Sequence, residues 1–233
     1  MRFSFKKMPV EKYHALAVTL LKFFLPWALA AFYVISILLI FRERSGEFLG
    51  YMGAYFAPLL GRGSVIPVAV ARGFDPTLVA LYITAMDVVV ALFFVWNLDL
   101  ITRLPVVGPA FGKLTSMGSA MLEKRPWVSR LAFTGPLVYM ILPVQPGGSI
   151  TATILGRLIG LKAEKIILAI TAGAALSAFA YAYATTGLVA AFRANAALGT
   201  AMVIVGGVAA YIVYKKIVKP WEDGEASNGT ARV

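Results

Sequence analysis

No cysteine occurs among the 233 residues, and there is a single histidine. Disulfides and thiolate metal centres are therefore excluded, and chemistry built on imidazole has only His14, close to the N-terminus, to draw on. Charge is scarce too. Charged side chains make up 14% of the chain, where a soluble globular domain carries about 25%. Acidic residues are the scarcer sign, 11 against 22 lysines and arginines. What fills the remaining space is apolar: 60% of residues are hydrophobic, with a mean hydropathy of +0.80. This composition excludes an ordinary soluble domain and points to an all-α polytopic membrane protein. The net charge of +11 would also suit a phosphate-rich partner. Membrane proteins, however, gather Lys and Arg in their cytoplasmic loops, so no nucleic-acid partner is expected.

The basic N-terminus (Arg2, Lys6, Lys7, Lys12) precedes an apolar run at 23–41. That run is long enough to span a bilayer and exceeds the 7–15 apolar residues of a signal peptide, so a retained first span is expected. Five apolar stretches follow, at 48–73, 76–101, 127–161, 163–192 and 196–218. Asp87 interrupts the stretch at 76–101, and Asn97 and Asp99 lie near its end. The expected organisation is one membrane domain over 1–233. It divides into an N-terminal segment and first span (1–47), a hairpin plus span (48–102) and a surface linker (103–126). A second hairpin plus span (127–192), a last span (193–218) and a polar tail (219–233) complete it.

Two stretches carry helix breakers where a span should be continuous. The first holds "APLLGRGSVIP" and the second "ILPVQPGGSITATIL". Proline removes a helix donor and clashes with the preceding turn. Irregular backbone at membrane depth is tolerated only inside protein or beside a wet cavity. Charge distribution decides between kinked spans and re-entrant hairpins. With re-entrant hairpins and a cytoplasmic N-terminus, 16 of the 22 basic residues lie inside and three (Arg42, Arg44, Arg193) outside. The other three, Arg62, Arg72 and Arg157, lie within the hairpins. Two full spans would weaken the bias to roughly 14 against 8. The fold expected is about four spanning helices plus two re-entrant hairpins, in a cell membrane, with both termini cytoplasmic.

The two interrupted stretches also resemble each other. "GSVIPVAVARG" from Gly63 aligns with "GSITATILGRLIG" from Gly148, pairing Ser64 with Ser149 and Arg72 with Arg157. After a two-residue gap "LYITA" (81–85) aligns with "LAITA" (168–172). One crossing per unit inverts the second unit relative to the first, an arrangement found in secondary transporters. The segments "GRGSVIPVAVARGFDP" and "PVQPGGSITATILGRLIGL" resemble the two motif regions of the small multidrug export family, itself related to the DedA/VTT lipid-transporter superfamily. The resemblance covers roughly 49–192. It implies facing hairpins and movement of an amphiphile, a lipid phosphate foremost. Two departures stand out. Gly61 occupies a place where the family often has an acidic residue, and Met140 and Pro146 stand where better-studied DedA relatives carry a two-arginine motif. A borrowed proton-coupled mechanism is weakened accordingly.

The residues suggest the same chemistry without the family. Ser64 and Ser149 each follow a glycine and precede an apolar run, so each suits a helix N-cap. Two half-helices beginning at mid-depth would aim N–H groups and partial positive charge at one place, a setting for an anion. Arg62 adds a full charge and a fork for phosphate oxygens. The candidate binding set is Arg62, Gly63, Ser64, Gln145, Gly147, Gly148 and Ser149, with Arg72 and Arg157 placed either to bind ligand or to anchor the hairpins. Asp87 lies mid-span, where a carboxylate is functional by default. It suits proton coupling, or neutralisation of Arg62. Tyr181, Tyr183, Thr185 and Thr186 line a polar path or pack helices, and "TAGAALSAFA" supplies small residues for close packing. The leading expectation is a transporter or scramblase for a phosphate-bearing amphiphile, such as a polyprenyl phosphate or phospholipid. The alternative is a proton-coupled exporter of small cations using Asp87. No catalytic residues, metal or cofactor are expected, because Asp87 has no partner carboxylate at helical spacing. A membrane lipid with an anionic phosphate headgroup is the expected partner, with a homo-oligomer as a further option.

Overall fold

The computed structural model describes residues 10–57, 61–103, 105, 133–141 and 148–213. Gln145, Gly147, most of the 103–126 linker and the 219–233 tail lie outside the described residues. Eight α-helices and no strand occur among those that are described. They are α1 (Val10–Phe41), α2 (Ser45–Ala54), α3 (Gly61–Ala71), α4 (Pro76–Ile101), α5 (Thr134–Ile141), α6 (Gly148–Leu158), α7 (Ala163–Ala194) and α8 (Ala196–Val213). Three stretches are long and apolar enough to cross a membrane: Leu16–Ala54, Pro76–Leu98 and Ala163–Ala194. The expected fourth span corresponds to α8, whose apolar part is Ala196–Val208. The residues pack as two compact units, Met1–Ala182 and Tyr183–Val233.

Helix α1 begins earlier than the apolar run and continues through Pro26. A proline at 26 has no N–H for the carbonyl of Lys22, four residues back. Asn97 of α4 takes that place, its Nδ2 donating to Lys22 O at 3.3 Å. The polar residue near the end of α4 thus satisfies the backbone that the proline left open, and it ties α1 to α4. Helix α4 itself starts at an N-cap, Asp75, whose Oδ1 accepts from Leu78 N at 2.9 Å, with Pro76 in the first turn.

Helices α2 and α3 form a hairpin closed at its open end, where Arg44 Nη2 donates to Arg72 O at 3.1 Å. At ten and eleven residues, each rises only about 15–16 Å, roughly half of a bilayer's hydrocarbon thickness. Helices α5 and α6 form a second hairpin, closed where Gly135 faces Ile159. A core of Ile37, Phe48, Phe74, Ile83 and Tyr82 binds the first hairpin to α1 and α4, with Phe41 stacked on Phe48 at 4.0 Å. A second core of Ala91, Val95, Met140, Ile166 and Ile170 packs the second hairpin against α4 and α7. Two glycines set these contacts. A Cβ on Gly156 would lie 2.7 Å from Ile166, and one on Gly173 would lie 2.8 Å from Leu137 O. The close approach expected of the small residues at 171–180 is realised there.

The helices after the breakers do not start at the serines. They start at Gly61 and Gly148, both with positive φ (54° and 42°), so Ser64 and Ser149 fall inside the first turn. Each helix has eleven residues and ends in the same way. Gly73 (φ 87°) and Gly160 (φ 80°) follow the helix end, and Phe74 N and Leu161 N reach back to Ala69 O and Gly156 O. The aligned glycines are 87 residues apart (148 less 61, 160 less 73), as are the starts of α4 and α7. This register runs without the two-residue gap and replaces the serine-to-serine alignment. Arg62 is the counterpart of Ser149, and Asp87 of Ala174.

The second compact unit holds the end of α7 and α8. Asn195 breaks the helix and caps α8 by accepting from Ala197 N at 2.8 Å, and Gly199 lets the Phe192 ring lie against the backbone. Within this unit Tyr183 is exposed and Thr185 is buried.

Candidate functional site

The second residue of α3, Arg62, is 2% exposed, and Asp87, midway along α4, is 0% exposed. Their side chains meet, Arg62 Nη2 to Asp87 Oδ2 at 2.7 Å. A charge pair so deeply buried needs further hydrogen bonds to offset desolvation, and the surrounding helices supply them. Tyr55, one residue beyond α2, donates its hydroxyl to Asp87 Oδ1 at 2.8 Å and accepts from Arg62 Nη2 at 3.2 Å. Arg62 Nη1 donates to Met140 O on α5 at 2.9 Å and to the hydroxyl of Ser177 on α7. Ser149, buried in the first turn of α6, directs its hydroxyl and backbone N–H toward the Asp87 carboxylate.

The first turn of α6 therefore already faces an anion, which is the protein's own Asp87. A helix N-terminus with free N–H groups favours negative charge, and here that charge comes from the other half of the molecule. Gly148 is required twice over at this point. Its φ of 42° favours glycine, and a Cβ would stand 3.0 Å from the Tyr55 hydroxyl and 3.7 Å from Asp87 Oδ1.

A small cavity of about 70 Å³ opens beside the pair, lined by Tyr55, Phe56, Gly61, Arg62, Gly148 and Ser149. The first turns of α3 and α6 thus share one wet-sized space, as the two breaker motifs implied. Arg62 Nε is buried and has no hydrogen-bond partner among the described residues.

Not every candidate residue joins this site. Gly63 and Ser64 are half-buried on α3, and neither reaches the ion pair in the described hydrogen bonds. Arg72 is exposed at the open end of the first hairpin, 3.9 Å from Glu47. Beside it Arg44 lies over the Phe74 ring at 3.8 Å and pairs with Glu47 at 3.0 Å. Arg157 donates Nη2 to Val95 O at 2.7 Å, which fixes the end of α6 to α4. In this conformation Arg157 ties a helix end to α4, and the Arg72 side chain is largely exposed. Tyr181 packs against the first core, beside Phe179.

Three participants were not foreseen from the sequence. Met140 contributes through its carbonyl, which leaves no side-chain signal. Tyr55 stands in "GAYFAP" among other aromatics. Ser177 had a visible cue, a hydroxyl midway along an apolar helix, but lay inside a segment of small packing residues.

The family described as "Putative small multi-drug export protein" matches residues 62–180. The match starts at the buried arginine and takes in Asp87, all of α3 but Gly61, the whole of α6, and Ser177. No curated protein and no solved structure matches the chain.

Proposed function

This chain belongs to the small multi-drug export family, and from that premise of membrane transport we propose that it carries an amphiphile with an anionic, phosphate-like head past the Arg62–Asp87 pair. The observation that supports this reading is the saturation of the Asp87 carboxylate. It is surrounded by donors: Tyr55, Arg62 and the hydroxyl and N–H of Ser149. A cation approaching Asp87 meets a guanidinium and a helix N-terminus first. A proton on Asp87 has the opposite effect. It removes the anion that holds Arg62 and the first turn of α6, and leaves both facing the cavity. The site is then positive and accepts an anionic head, so that one proton and one monoanion together restore the charge of the empty pair.

The geometry of the hairpins suits a membrane setting for this step. Each is half a bilayer long and closed at its open end, and we take both as re-entrant, inverted relative to one another, with cytoplasmic termini as the basic residues favour. The kinship with DedA/VTT lipid transporters belongs to the same reading, and a polyprenyl phosphate or phospholipid is then a natural substrate.

Purified protein in proteoliposomes, given dodecyl phosphate or dodecyltrimethylammonium at several pH values, tests the proposal. Dodecyl phosphate is expected to move, and Arg62→Gln to slow it ten- to a hundredfold, about the 1.5–3 kcal/mol of a hydrogen bond to a charged group. Asp87→Asn, which imitates the protonated acid, should keep movement and lose its pH dependence. Movement of the ammonium compound alone, abolished by Asp87→Asn, would replace this reading with cation export through Asp87.

A further inference from the structure

An apolar groove of about 280 Å³ runs between α1, α2 and α4, with Tyr33, Val34, Met52, Gly53, Phe56 and Val90 among its walls. Phe56 also lines the cavity beside the ion pair, and its ring lies edge-on to Tyr55, 5.7 Å between centroids. The polar cavity and the apolar groove are therefore neighbours across one side chain. The groove's walls are almost wholly apolar.

We infer that this groove is a second subsite, which takes the apolar portion of the transported amphiphile while its anionic head stands at Arg62. The inference rests on the function proposed above and adds the shape of the substrate. The head cavity of about 70 Å³ is far below the ~300–1,000 Å³ of sites that enclose a drug-sized ligand, so a larger molecule must extend beyond it. The groove is the adjoining space, and its apolar walls suit an alkyl chain.

Gly53 makes the inference testable. It lies on α2 in the groove wall, and a Cβ added there meets nothing within 4 Å, so a larger side chain grows into empty space. Gly50 on the same helix has equally open surroundings and does not line the groove. Proteoliposomes carrying wild type, Gly53→Leu, Gly53→Ala or Gly50→Leu would be given butyl phosphate and dodecyl phosphate. Gly53→Leu is expected to slow dodecyl phosphate at least tenfold and leave butyl phosphate unchanged. Gly53→Ala should fall between, and Gly50→Leu should match wild type. Equal behaviour of the two leucine variants would overturn the subsite and leave the groove to bulk bilayer lipid, with the head site intact. If wild type moves neither phosphate, the transport reading fails and takes the groove with it.

Discussion

The segment of α3 and α4 and the segment of α6 and α7 are built on one backbone plan and carry different chemistry. Both start at a positive-φ glycine, run eleven residues, turn at a second glycine and enter a long helix, in a constant register. Yet the first contributes Arg62 and Asp87, and the second places Ser149 and Ala174 at the corresponding points. Both charges of the site come from one unit, and the other supplies neutral donors and backbone. Repetition fixes where two helix starts meet, while the sequence difference decides that only one of them is met by an internal carboxylate. The packing differs in the same complementary way. Gly156 faces Ile166 in the second unit, and the corresponding positions of the first are Ala69 and Val79, both buried.

Removing one charge tests the asymmetry most severely. Arg62→Met or Asp87→Leu alone strands a buried ion and should lower stability by about 3–5 kcal/mol, read as a large drop in thermal midpoint in detergent. The double substitution should recover most of that loss and still abolish transport. A double variant no more stable than either single one would show that the two charges are not held by each other. The packing exchange is the next largest effect. Gly156→Ala is expected to cost about 1–3 kcal/mol by overpacking, and adding Ile166→Val, which recreates the first unit's pairing, should restore it. Additive loss in the double variant would break the equivalence of the two interfaces. The smallest effect concerns the turns. Gly73→Ala and Gly160→Ala meet no neighbour within 4 Å, so each should cost only the left-handed backbone strain, about 1–2 kcal/mol. Unequal costs in thermal unfolding would separate the two turns.

Much of this architecture is legible in the sequence, and the reasons are physical. Apolar length marks α4 and α7, whose starts at Pro76 and Ala163 agree with the hydropathy pattern. Proline and glycine mark the breaks that precede α3 and α6. Arg62 and Asp87 stand out because charge inside an apolar run is expensive, and neutralisation of one by the other was among the expected roles. The likeness of the two segments was legible too, though the sequence alignment pairs Ser64 with Ser149 where the helix bounds pair Gly61 with Gly148. Side-chain statistics favour serine as an N-cap, whereas positive-φ glycines begin both helices here. Tyr55 and the carbonyl of Met140 reach the pair only through the fold, so no spacing in the chain announces them.

The buried pair has one more consequence, which concerns voltage. One elementary charge crossing 100 mV exchanges about 2.3 kcal/mol with the field. Arg62 and Asp87 sum to zero, and on the function proposed above so would the same groups loaded with a proton and a monoanion. Moved as a unit across the bilayer, this centre would then do no electrical work in either state. A cell's membrane potential would neither drive nor stall it, and the concentrations of protons and substrate on the two sides would set its direction.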